Sequence, residues 1–235
     1  MSLTNLKIHF TNRSGKAVYI TRSLLTTLNL NGARTLRLSL GRRTVEATIR
    51  MLARKGNHLY LPSALRRQLM VPRAGTCYAV SDGASGLRLG PLIGLMTTSH
   101  SRTRTVNRTL VRPYIRSGHT KSFYFAFHPQ DVNWTNETVT GYFITSGGWI
   151  RKTVPLPDVV YNRMGSRRRE SLLSMENMKN RFQQRGIPIF NWNFFDKSYV
   201  YELLTHEPEA AEHLPESINS PTFRDLKDKI GRAHV

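Results

Sequence analysis

The sequence predicts a mixed β and α/β protein: a small duplicated β-barrel, then an α/β domain around a parallel sheet, then helices. Three observations carry this. The first 90 residues contain a repeat with strand-and-turn character. Two short apolar runs, Asp158–Tyr161 and Ile187–Phe190, read as buried parallel strands around a polar helix. The chain after Asp196 is polar, acidic and helix-like.

Residues 1–90 hold the duplication. Ala17–Leu40 and His58–Ser81 align with Tyr19 on Tyr60, Ile20 on Leu61, Leu24 on Leu65, Leu28 on Leu69 and Leu30 on Val71, all 41 residues apart. Each copy reads as strand, short helix (Ser23–Leu28; Ser63–Leu69), turn and strand, with Thr21 and Pro62 at the helix starts. Thr44–Ile49 and Gly86–Leu89 add strands after each copy. Two copies make a pseudo-symmetric barrel, not a solenoid. The duplicated unit resembles double-psi β-barrels, including relatives in DNA-binding transition regulators; the likeness implies a fold, since that barrel serves many functions.

A second domain is expected over residues 91–193. Gly90–Met96 is a strand entered through Gly-Pro, followed by the polar loop Thr97–Thr105. Val106–Ser117 has a helical apolar face that Pro113 should bend or end early. Phe123–Phe127 is a strand, and Thr138–Ile144 with Trp149–Val154 is a hairpin closed at Ser146-Gly147-Gly148. Val159–Tyr161 precedes one helix over Met164–Arg185, stopped by Gly186. Pro188 puts Ile187–Phe190 at a sheet edge. Asp196 caps a helix over Lys197–Thr205; Glu207–Glu216 and Phe223–Ile230 are further helices.

Charge narrows the partner classes. The net charge is +20, but residues 1–90 carry fifteen Lys/Arg against two acids (+13), residues 91–186 fifteen against five (+10), and residues 187–235 five against eight (−3). A polyanion is the natural partner of the first two segments, nucleic acid among the alternatives; a solvated basic surface explains the same charge. The single cysteine, Cys77, excludes a disulfide framework and reads as a core thiol. No apolar run is long enough to span a bilayer and no secretory leader is read, so a cytoplasmic protein without membrane contact is expected.

No P-loop, dinucleotide fingerprint, HExxH or nucleophile elbow occurs, and no catalytic residue is assigned. His206 and His213, seven apart, lack a third ligand, so no metal site is read. The candidates are polar groups at strand ends, where open α/β sheets bind ligands. Asn162, Arg163, Asn191 and Asn193 form a candidate ligand crevice, with Arg163 offering a donor fork to carboxylate or phosphate. Arg102, Arg104 and Arg108 form a candidate anion site. Asp158 and Arg163, flanking the Val-Val-Tyr run, read equally as a strand-end ion pair.

The segments GPLIGLM, LPDVVYNR and GIPIFNWNFFDKSYVYELLTHEPEAAEHLPES resemble the YheC/YheD family of endospore coat-associated ATP-grasp proteins over nearly the whole chain. That resemblance implies a pre-ATP-grasp α/β domain at residues 91–193, the start of an ATP-grasp module at 194–235, and location in the cytoplasm or the spore coat. It implies ATP and Mg²⁺ for the full-length protein, carboxylate ligation in active relatives, and spore coat proteins as partners. The nucleotide-binding lysines, Gly-rich loop and metal carboxylates of such modules are not found here, so the chain is expected to be a truncated, inactive portion without cofactor of its own. Residues 230–235, IGRAHV, resemble a frame of a sequencing adapter, and the reading frame is expected to continue beyond Lys229. Two alternatives stand beside this: a basic polyanion- or nucleic-acid-binding barrel, and a non-catalytic structural coat component.

Overall fold

The 41-residue repeat is the geometry of the first subdomain, and it begins earlier than the aligned leucines. In the computed structural model, which describes residues 2–81, 85–98, 106–118, 121–193, 196–215, 217 and 221–232, β1 (Ser2–Thr11), β2 (Ala17–Thr21), α1 (Arg22–Thr27) and β3 (Thr35–Leu40) form one half. β4 (Arg43–Leu52), β5 (His58–Pro62), α2 (Ser63–Leu69) and β6 (Gly75–Ser81) form the other, and β7 (Gly86–Leu89) completes a closed barrel in the order β1-β5-β2-β4-β3-β7-β6. The first strand was not read from sequence, although Leu6 and Ile8 alternate as a barrel strand requires.

The halves interlock. β1 pairs parallel with β5 and β2 parallel with β4, and the registers superimpose on a shift of 41: Lys7 faces His58 as Thr48 faces Ala17. β2 and β5 then meet antiparallel on the pseudo-dyad, Tyr19 opposite Tyr60. Both helices end at a left-handed residue, Asn29 and Met70, each at φ 55°. The next amides close back on Leu25 O (2.8 Å) and Arg66 O (3.2 Å). Thr21 holds the N-cap position of α1 but does not cap it; its hydroxyl donates to Gly56 O at 2.7 Å and accepts from His58 N at 3.1 Å, tying the halves together.

The second subdomain is a seven-stranded sheet. β8 (Leu92–Thr97) is followed by α3 (Arg108–Gly118), β9 (Phe123–Phe127), a 3₁₀ turn at Pro129–Asp131, β10 (Val132–Asn133) and the hairpin β11 (Thr138–Thr145) and β12 (Gly148–Pro155). Then come β13 (Val159–Arg163), α4 (Arg167–Glu170), α5 (Leu173–Gln184) and β14 (Ile189–Phe190). The order is β10-β11-β9-β8-β13-β14, with β9, β8, β13 and β14 mutually parallel and β12 outside on β11. Pro113 does not end α3: the buried Val111 and Ile115 on either side of it hold the helix on the sheet. The helix expected over Met164–Arg185 is two, because Glu170 turns inward at the end of α4 and the chain restarts at Leu172. The edge position of β14 agrees with Pro188, whose carbonyl accepts from Val160 N at 3.0 Å.

Barrel and sheet belong to one compact unit, Met1–Trp192. Barrel leucines share a core with Leu92, Phe123, Phe127 and Phe182. Gly41 (φ 53°) passes so close to the sheet that a Cβ there would meet Leu156 O at 2.2 Å. Arg42 N donates to that same carbonyl at 3.0 Å. Asp158 pairs across the junction with Arg88 at 2.7 Å and accepts from Leu92 N at 2.8 Å; Arg163 is not its partner. Cys77 is fully buried in the barrel, and burial pushes its thiol up to about 12.

The second unit, Asn193–Val235, contains α6 (Lys197–Thr205), α7 (Pro208–Ala211) and α8 (Phe223–Arg232). Asp196 caps α6 by accepting from Ser198 N at 2.9 Å. The helix expected over Glu207–Glu216 is only the single turn of α7. Leu203, Leu204 and Phe223 are exposed. Among the described residues no helix is long and apolar enough to cross a membrane.

Candidate functional site

The parallel strands diverge at one place. β8 leads through α3 to β9 on one side, whereas β13 leads through α4 and α5 to β14 on the other, so the crossovers part between β8 and β13. The helices cover opposite faces: Val111 and Ile115 of α3 pack with Leu95, Ala126 and Tyr142, and Met175 and Phe182 of α5 join the main core. The carboxyl ends at such a switch point form the natural ligand crevice of an open α/β sheet.

Asn162 and Arg163 both lie at that edge, and strand alternation sends them to opposite faces. Asn162, 1% exposed, points toward α4 and α5. Its amide nitrogen donates to Glu170 Oε1 and to Trp192 O (3.3 Å), and its oxygen accepts from Met164 N at 3.1 Å. Lys179 reaches the same centre from α5, donating to Glu170 Oε1 (3.3 Å) and to Trp192 O. Asn191 donates to Asn162 O at 2.9 Å. Asn162 and Asn191 therefore meet, but in a buried network that locks the exits of β13 and β14, and Asn162 does not face a crevice. Glu170 and Lys179 were missed in the sequence; the one available signal was an acid and a lysine nine apart, uninformative until α4 and α5 fold back on each other.

Arg163 turns to the α3 face. Its guanidinium lies 5.2 Å from the Tyr114 ring centre, and Tyr114 meets Tyr161 edge-on at 5.8 Å. Its register partner across the switch point is Thr97, the last residue of β8. The Thr97 hydroxyl and Arg163 Nε are both buried and have no hydrogen-bond partner among the described residues. A buried donor left unpaired costs about 1–3 kcal/mol, so two on neighbouring strand ends make this the candidate place for an acceptor. Gly165 lies beside it: a Cβ there would come within 3.7 Å of the Thr98 hydroxyl.

The other candidates fall elsewhere. Arg108 lies between Tyr142 and Trp149, about 6 Å from each ring centre (6.0 and 5.8 Å), on the α3 face. Arg102 and Arg104 lie outside the described residues. Asn193 belongs to the second unit. Among the described residues no three His, Cys, Asp or Glu side chains converge on a metal-sized space.

The family described as YheC/D like ATP-grasp matches residues 186–235. The endospore coat-associated protein YheD of Bacillus subtilis (strain 168) is 29% identical over 196 residues, covering 81% of this chain and 41% of that protein. The chain is related to the YheC/YheD family. It spans less than half the length of that curated relative. No solved structure matches significantly. The family match opens at Gly186, the turn between α5 and β14, so it takes in the last strand of the sheet and the helices after it.

Proposed function

We propose that this chain is the N-terminal part of a longer YheC/YheD-type ATP-grasp protein associated with the endospore coat. On this reading Thr97 and Arg163 receive an anionic group of the acceptor substrate, a carboxylate or phosphate, and residues after 193 open the ATP-binding module. The observation that carries it is the pair of donors at the switch point without a partner among the described residues, in a chain whose residues 186–235 match the ATP-grasp family. Arg163 supplies a planar donor fork with fixed charge, backed by Tyr114, and Thr97 supplies a neutral hydroxyl. The Asn162–Glu170–Lys179 network is the rigid backing that keeps both strand ends in register.

The test is calorimetric titration of Mg-ATP into the complete reading frame and into residues 1–235. Binding by the complete protein alone is expected. Arg163→Gln in the complete protein should leave ATP affinity intact and lower acceptor-stimulated ADP release by at least tenfold, with Arg163→Lys restoring part of it. ATP binding by the 235-residue chain would overturn the reading. If the complete protein neither binds nor hydrolyses ATP, the scaffold is a structural coat component instead.

A further inference from the structure

The barrel carries a second site, on its pseudo-dyad and far in sequence from the switch point. One row of side chains crosses four adjacent strands on the outer face: His9 of β1 opposite Tyr60 of β5, Tyr60 opposite Tyr19 of β2, and Tyr19 opposite Arg50 of β4. His9 stacks on Tyr60 with ring centres 4.4 Å apart and planes 13° apart. Tyr19 and Tyr60 are 41 residues apart, and so are Arg13 and Arg54, which cover them: Arg13 lies 4.5 Å over the Tyr19 ring and Arg54 donates to the Tyr60 hydroxyl at 2.5 Å. All four line one cleft of about 410 Å³ with Thr11, Leu52 and Ala53. The Thr11 hydroxyl is buried without a partner among the described residues.

Four properties define what fits. The rings are half-buried, so they offer faces without being core. Both arginines are exposed, where an arginine–ring contact is worth only about 0.5–1 kcal/mol and yields readily to an incoming aromatic group. Lys7 and Arg50 extend the positive charge along the same face. Among the described barrel residues Glu46 is the one carboxylate, and it sits opposite Arg37 on the β3–β4 pair. Rings interleaved with arginines, without competing acids, match a ligand that alternates flat aromatic groups with negative charges.

We infer that the Tyr19/Tyr60 cleft is a binding platform for single-stranded nucleic acid, unpaired bases stacking on the two tyrosines and phosphates meeting Arg13, Arg54, Arg50 and Lys7. Stacking of this kind needs unpaired bases and tolerates any sequence. It separates the site from a merely basic surface, which binds duplex and polyphosphate alike.

Fluorescence anisotropy with a labelled oligodeoxythymidine and the 235-residue chain tests this. Tyr19→Leu and Tyr60→Leu should each weaken binding at least fivefold. Tyr19→Phe and Tyr60→Phe, which keep the ring and the packing, should bind like the parent. Arg13→Gln and Arg54→Gln should each flatten the log-affinity against log-salt slope by about 0.7. Inorganic polyphosphate, polyglutamate or duplex DNA competing as well as the single strand would overturn the inference. So would an affinity unchanged by both leucine substitutions, or no binding at low salt.

Discussion

Replacing Lys179 by methionine tests the buried network in the most direct way. The Lys179 and Glu170 side chains are 3% and 6% exposed and 3.3 Å apart. At an effective dielectric of 20 that separation corresponds to about 5 kcal/mol of attraction. Desolvation of the two ions offsets most of it, so the pair itself contributes little net stability. The methionine variant removes the attraction and leaves the Glu170 carboxylate buried, and it strips a donor from Trp192 O. Breaking a buried pair from one side costs about 3–5 kcal/mol. In Lys179→Met/Glu170→Gln no charge is left behind, and the Gln oxygen keeps an acceptor for Asn162, so the double variant should regain most of the loss. Urea unfolding read by tryptophan fluorescence, with Trp134, Trp149 and Trp192 all in the first unit, measures each variant. A loss below about 1 kcal/mol for the single variant, or simple additivity in the double, would refute the claim that the two charges hold each other.

Two further outcomes follow from the same fold. Gly41→Ala should destabilise the barrel–sheet junction by on the order of 2 kcal/mol or more, since the new Cβ meets Leu156 O at 2.2 Å and the left-handed backbone itself costs about 1–2 kcal/mol; thermal melting checks it, against Gly147→Ala as a neutral control with nothing closer than 3.9 Å. His9 and His128 are held below the ordinary 6.5, in both cases first by burial, then by His58, Lys7 and Arg54 around His9, while Arg169 outweighed by Asp131 acts on His128. The unfolded chain therefore binds protons more readily than the folded one, and the stability these groups contribute is full above pH 6.5 and lost as pH falls through their folded values. His9→Gln and His128→Gln should each flatten the fall in melting temperature over that window.

How much was legible in the sequence depended on whether a feature was local or repeated. The duplication announced itself because apolar spacing is preserved at a fixed offset, and the barrel and its two short helices follow from it. β1 escaped because only two core positions tie it to β4, its partner in the repeat: Ala47 and Ile49 stand where β1 has Leu6 and Ile8, and the polar positions around them differ, Glu46 for Asn5 and Arg50 for His9. Strand ends pointed to the edge of the sheet where the crossovers part. The period of two already placed Asn162 and Arg163 on opposite faces, yet grouping them by adjacency merged a buried structural amide with a guanidinium on the α3 face. Thr97 was hidden for a different reason: its significance is the lack of a partner, which no spacing records. The pairing of Asp158 with Arg88 instead of Arg163 was equally out of reach, because it depends on how barrel and sheet dock.

The interleaving of the barrel halves has a consequence for how the protein is made. β5 inserts between β1 and β2, and β4 lies beyond β2, so the first half has no sheet of its own to form. While the ribosome has released only residues through Leu40, β1 and β2 have empty edges on both sides, and Leu6, Ile8, Val18 and Ile20 have no barrel to close over. Closure of the barrel must wait until β5, β6 and β7 have emerged, since β7 joins β3 to β6. A nascent chain stalled in the loop after β3 would be fully open to proteases, and one stalled well past β7 would be resistant, with little gradation between.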